Sequence, residues 1–262
     1  MAMKNVVVLM KQVPDVRIAG EDVLLPDGSI NRAILPAIVN PNDFYALQQA
    51  LLIKDKYPQV TITVMSMGPM QAAEVVREGL FRGVDTGVLL CDKQFAGSDT
   101  LATSYVLAQG IKKLGSVDLV LCGCQTIDGD TAHIAPQVAN HLDWPQLTSV
   151  VAMEINDGKV IANRQLENGI QRVQVAYPAV VSISNQADVC RPRNAKRVMA
   201  YKDAAVTTWT LQDIQADERR CGSLGSPTRV SGMKTIAWQV KETKHIEPTQ
   251  ESIAELMTWI IK

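Results

Sequence analysis

Leu121-Cys122-Gly123-Cys124-Gln125-Thr126-Ile127-Asp128-Gly129-Asp130-Thr131-Ala132-His133-Ile134-Ala135-Pro136 passes from an apolar strand through small and acidic residues into a helix. The strand is Asp118–Cys122 and the helix runs over about Pro136–Leu142. α/β proteins bind nucleotides with this succession of elements. Unpaired backbone N–H groups and the positive end of the helix dipole face an anion there. Neither GxGxxG nor GxxxxGK(S/T) occurs, which excludes the Rossmann fingerprint and the P-loop. The stretch alone fits two readings, a tight βα connection capped by Asp130 or an anion site. Pro136 has no N–H to donate to the Ala132 carbonyl, so the helix starts at Pro136 or is kinked in its first turn. Both leave the amides of residues 130–135 to a phosphate. Asp128 and Asp130 would repel a phosphate they faced, which places them as caps or as partners of ribose hydroxyls and donor groups.

Working outward, the first half alternates strand and helix. Val6–Met10 is a continuous apolar run, the mark of a strand buried on both faces. A long excursion, Lys11 to Val39, carries an Asp27-Gly28 hairpin signal and reads as a flap. Asn40-Pro41-Asn42-Asp43 starts a helix, with a capping Asn and Pro at its first position. Val60–Met65, Val88–Cys91 and Leu119–Cys122 are further strands. Between them are helices, one closed by Gly83 and one capped by Ser98 or Asp99 and ending near Leu114. Four such units predict a doubly wound α/β fold, with a mainly parallel sheet and flanking helices. A ligand belongs beyond the strand ends, where the strand order reverses.

After Leu147 the pattern changes. Ser149–Ile155, Val160–Leu166 and Ile170–Ala176 are split by Asp157-Gly158 and Asn168-Gly169, an antiparallel meander. Ala179–Ser184 is a buried strand. Residues 185–202 form a mobile basic loop with Arg191, Arg193 and Arg197. Residues 203–248 read as an extended arm without a core of its own, laid on another subunit. A final helix from about Thr249 has an apolar stripe of Ile253, Leu256, Met257 and Ile260. The expected division is a nucleotide-binding domain over 1–202 and a C-terminal arm and helix over 203–262.

With 262 residues and 47% hydrophobic content the chain builds a sizeable core. The net charge of −1 and the lack of a basic block argue against nucleic acid and a polybasic membrane surface. No apolar run reaches the roughly 18 residues of a membrane span, and the N-terminus reads as a strand rather than a signal peptide. Five scattered cysteines fit a reducing cytoplasm. Cys122-x-Cys124 lacks the companions of a zinc site, and three dispersed histidines make no metal cluster. There is no GxSxG, HExxH or kinase motif set.

Several stretches together resemble the beta (small) subunit of electron transfer flavoproteins. They are Lys11-Gln12-Val13-Pro14-Asp15, Asn40-Pro41-x-Asp43, Ser66-Met67-Gly68-Pro69, Phe95-Ala96-Gly97-Ser98-Asp99-Thr100, Gly123-x-Gln125-x-Ile127-Asp128-Gly129-Asp130-Thr131-Ala132, Pro145-Gln146-x-Thr148 and Gly225-Ser226-Pro227-Thr228-Arg229-Val230. The resemblance implies a heterodimer with a larger alpha subunit carrying a redox-active FAD. The beta subunit then binds structural AMP, or FAD in the electron-bifurcating subgroup, which the Asp128–Ala132 version resembles. In that subgroup electrons from NADH divide between a low-potential acceptor such as ferredoxin and an acyl-CoA dehydrogenase or reductase-type flavoenzyme. Carried over, the nucleotide site comprises Leu9, Asn40, Asp43, Met67, Gly123, Thr126, Ile127, Asp128, Gly129, Asp130, Thr131, Ala132, His133 and Ile134. His133 stands where the subgroup has Gln, and the resemblance implies that it contacts phosphate. The partner-docking segment falls on Arg191, Arg193, Ala195 and Arg197. Only Pro192-Arg193 match the family pattern there, and Ala195 replaces its inserting Leu, so either the redox partner is atypical or docking rests on charge. An adenine-nucleotide-binding regulatory domain is the reading from another functional class.

Overall fold

The computed structural model describes residues 3–15, 35–228 and 246–260. In chain order the elements are β1 (Asn5–Leu9), β2 (Gln12–Pro14), β3 (Ala37–Val39), α1 (Pro41–Lys56), β4 (Thr61–Met67), α2 (Ala73–Arg82), β5 (Thr86–Leu90), α3 (Thr100–Leu114), β6 (Leu119–Gly123) and α4 (Ile134–Leu142). Then come β7 (Gln146–Asn156), β8 (Lys159–Leu166), β9 (Gly169–Ala176), β10 (Ala179–Ile183), α5 (Ala195–Tyr201), β11 (Thr207–Trp209) and α6 (Gln250–Ile260).

A wholly apolar strand needs cover on both faces, and β1 has it. It lies inside a nine-stranded sheet ordered β11-β5-β4-β1-β6-β10-β7-β8-β9. The pairs from β11 to β7 are parallel, and β8 and β9 add antiparallel at one edge. Side chains alternate between two cores. Val6 and Val8 join α1 and α2 residues such as Leu47, Leu51 and Val76. Val7 and Leu9 join Val106 and Ile111 of α3 and Val138 of α4. The doubly wound expectation thus holds. The chain steps from β1 to β4 to β5 in one direction, then β6 returns to the other side of β1. That reversal puts the switch point between the carboxyl ends of β1 and β6.

Several details differ from expectation. The Asp27-Gly28 hairpin lies outside the described residues, but the base of the excursion is an antiparallel pair, β2 with β3. Helix α4 begins at Ile134, two residues before Pro136. Pro is tolerated there because the first four helical N–H groups have no intrahelical acceptor. His133, not Asp130, precedes the helix, and it makes no side-chain cap.

The basic segment is not an open loop. Its α5 lies against the body, and Asn194 N–H donates to the Phe81 carbonyl at 2.9 Å. The segment after 202 also contributes core. Strand β11 pairs with β5, and Ile214 and Cys221 are buried. A three-residue strand is too short for period-two patterning to show. Near the chain end, Ile253, Leu256 and Met257 of α6 are exposed, so their stripe is not part of this chain's core.

Candidate nucleotide site

A cavity of about 380 Å³ opens at the carboxyl ends of β1, β4 and β6, at the switch point. Its apolar wall includes Leu9, Met65, Met67, Phe95 and Leu107. Its polar wall is the loop from Gly123 to Ile134. Opposite stands the start of α3, where the Asp99 carboxylate accepts from the amides of Leu101 and Ala102, each at 3.0 Å. It also accepts from Thr228 N–H at 3.1 Å.

The loop is fastened to the first turn of α1. A Cβ on Gly123 would lie 2.6 Å from Asp43 Oδ1 and 2.7 Å from the Asn42 carbonyl carbon. Only glycine lets the β6 end approach α1 so closely. The Asn40 carboxamide is fully buried and does not cap its helix. It donates to Asp43 Oδ1 at 2.9 Å and to the Gln125 carbonyl at 3.0 Å, and accepts from Ile127 N–H at 3.3 Å. Asn42 donates to the same Gln125 carbonyl at 3.0 Å. Asp43 accepts in addition from Lys11 N–H at 2.7 Å and Gly123 N–H at 3.3 Å. Burial pushes the Asp43 carboxyl up to about 7, against these donors, which pull it down. Next along the loop, the Lys11 ammonium lies 2.9 Å from both carboxylate oxygens of Asp128.

Beyond Asp128 the backbone changes character. Asp130 N–H donates to the Thr126 carbonyl at 2.9 Å, closing a turn. Asp130 and Ala132 then adopt φ of 48° and 56°, in the left-handed region that side chains disfavour. Backbone of alternating hand is the pattern that, in anion-binding concavities, aims successive amides to one side. The α4 start adds its own amides next to it. A Cβ on Gly129 would meet only Thr126 Oγ1, at 3.7 Å. The space beside Gly129 is therefore free for a ligand.

Of the expected nucleotide residues, Leu9, Asp43, Met67, Gly123, Thr126, Asp128, Gly129, Thr131, Ala132, His133 and Ile134 line this cavity. Asn40 and Ile127 stand behind the loop and shape it. Asp130 is exposed and turns the backbone. The sequence reading missed Lys11, Phe95 and the α3 wall from Gly97 to Thr103. The Ser98-Asp99 cap and the position of that loop after β5 were the signals available.

The arginines of the basic segment bond within the chain. Arg191 pairs with Asp55. Arg193 pairs with buried Glu78 at 2.8 Å. Arg197 donates to the Leu80 carbonyl at 2.6 Å and to the Val84 carbonyl. Ala195 opens α5 and is exposed.

All five cysteines are free. Burial raises the Cys122 and Cys124 thiols above their ordinary range, so neither is an activated nucleophile. Among the described residues no cluster of metal-ligating side chains occurs, and no helix is long and apolar enough to cross a membrane.

Fold and cavity together define a doubly wound α/β protein with an open cavity at its switch point. The electron transfer flavoprotein domain matches residues 27–214. The chain is 38% identical over 256 residues to the electron transfer flavoprotein subunit beta of Clostridium acetobutylicum, covering 97% of this chain and 96% of the relative. It is 41% identical over 226 residues to the caffeyl-CoA reductase-Etf complex subunit CarD of Acetobacterium woodii, covering 86% of each chain. To Protein FixA of Rhizobium meliloti it is 35% identical over 265 aligned residues, covering 98% of this chain and 90% of the relative. The chain therefore belongs to the electron transfer flavoprotein family, on the side of its beta subunits.

Proposed function

We propose that this chain is the beta subunit of an electron transfer flavoprotein heterodimer and holds FAD in the switch-point cavity. With an alpha subunit it passes electrons from NADH to an acyl-CoA dehydrogenase or reductase-type flavoenzyme, with ferredoxin as the low-potential acceptor. The carrying observation is the loop after β6, whose open side at Gly129 faces the cavity between the apolar wall and two helix starts. Leu9 and Met67 offer apolar surface to a planar ring. Thr131, His133 and the amides of 129–134 offer donors to a diphosphate. Asn40, Asp43 and Ile127 keep that loop in place. When bound, FAD supplies the redox chemistry, and the protein positions and tunes it. The names of a caffeyl-CoA reductase complex subunit and an acryloyl-CoA reductase electron transfer subunit among the relatives support the choice of acceptor. Docking is placed on the segment holding Arg191, Arg193, Ala195 and Arg197, fixed in position by its internal bonds. α6 packs on the alpha subunit. Five free cysteines support a cytoplasmic setting.

AMP in place of FAD is the second reading, since the same donors suit either phosphate. Extraction of the purified heterodimer separates the two. About two flavins per heterodimer support FAD here, and one flavin with one AMP rejects it. Gly129→Leu should strip the nucleotide while the chain stays folded, because the protein itself leaves room for the new Cβ. Full nucleotide retention in that variant would put the site elsewhere.

A further inference from the structure

Lys11 follows the β1–Met10 floor of the cavity and touches both sides of the switch point. Its backbone N–H donates to Asp43 on α1 at 2.7 Å. Its ammonium reaches both oxygens of Asp128, on the loop after β6, at 2.9 Å. The Asp128 side chain is 2% exposed, that of Lys11 44%. Both residues line the cavity. A buried carboxylate beside an anion-binding concavity repels any phosphate that enters, and weak screening inside a protein strengthens that repulsion. A bidentate ammonium cancels the charge and fixes the loop at one point. Asn40 and Asn42 hold the loop on its β6 side, through Gln125 and Ile127.

We propose that Lys11 is a positioning residue of the nucleotide site, acting through Asp128: it neutralises the carboxylate that borders the phosphate cradle and pins the loop at the edge of the open Gly129 segment. This rests on the reading that a nucleotide phosphate occupies that cradle. The ligand class is any nucleotide presenting a phosphate there, so the same lysine serves FAD or AMP.

The test uses the full chain in its heterodimer, depleted of nucleotide, with AMP and FAD as separate probes in binding titrations. Lys11→Met should weaken both by at least about tenfold, as expected for removal of one member of a half-buried charge pair. Lys11→Arg should restore binding to within about threefold, because it keeps the charge and donors. In an Asp128→Asn background the same Lys11→Met change should cost less than about threefold, because the charge it answers is gone. A purely structural lysine would give additive losses in that cycle. Thermal midpoints of every variant are read alongside, and the half-exposed Lys11 side chain makes misfolding a separable result. The inference is overturned by additive losses, by unchanged binding in Lys11→Met, or by failure of Lys11→Arg to restore it. If the unsubstituted heterodimer binds neither probe, the nucleotide reading itself falls, and this inference with it.

Discussion

Two glycines of one loop serve opposite needs. Gly123 is glycine because the protein crowds it, whereas beside Gly129 the protein leaves open space. Between them the buried Asp43 carboxyl accepts from Lys11, Asn40 and Gly123, so it joins β1, α1 and β6 in one knot. An unfolded aspartate titrates at 3.8, and burial raises this one to about 7. Between those values the folded chain carries a proton that the unfolded chain has lost. Asp43 thus favours the fold at acid pH, and its contribution is lost as pH rises through 7. One proton of difference is worth about 1.4 kcal/mol per pH unit in the plateau of that window. His141, which burial pushes below its ordinary value, acts with the opposite sign nearby. The readout is therefore the difference between the parent chain and Asp43→Asn in urea unfolding across about pH 5 to 8. The parent should lose stability relative to the variant as pH rises. Parallel curves would mean that Asp43 is ionised throughout.

At the scale of elements, the segment after Ser184 shows what a charged sequence conceals. Five basic side chains in 185–202 suggested solvated chain. Instead Glu78 of α2, with its side chain 6% exposed, takes Arg82 at 2.6 Å and Arg193 at 2.8 Å. The Arg82 guanidinium also lies 4.6 Å over the Phe44 ring and donates to the Arg191 carbonyl at 2.8 Å. Removing one partner of a buried pair leaves the other uncompensated, at a cost of about 3 kcal/mol or more. Glu78→Ala should therefore cost about that much in chemical unfolding and speed amide exchange across α5. A loss below about 1 kcal/mol, the scale of a surface pair, would show that solvent screens the network. Strands β1 and β6 were legible because unbroken apolar runs have one use in an α/β chain. The charge clamp was not, since its partners lie over a hundred residues apart along the chain. The α3 wall escaped for the same reason. Local periodicity identifies elements, but it does not say which strand-end loops face each other.

At the scale of the whole molecule, residues 203–228 belong to the fold they were expected to leave. β11 extends the sheet beside β5, and Cys91 N–H donates to the Trp209 carbonyl at 2.9 Å. Ile214 and Cys221 fill the core under α3. The turn from Gly222 to Ser226 then grips the cavity's far wall. Gly222 N–H donates to Ser98 Oγ at 3.1 Å, and Asp99 N–H donates to Ser226 Oγ at 2.8 Å. Gly222 has φ of 55°, and a Cβ there would stand 2.2 Å from the Gln94 carbonyl oxygen, so the grip is close. A chain ended after Lys202 should lose more than about 3 kcal/mol, since burying one large aliphatic side chain alone contributes about 1.5–3 kcal/mol. It should also bind nucleotide more weakly, because Asp99 loses two of its fastenings. A chain ended after Thr228 keeps β11, the buried Ile214 and Cys221 and both fastenings, and should match the full chain in thermal midpoint. Equal midpoints for the two truncations would show that β11 and its turn lie on the domain without supporting it.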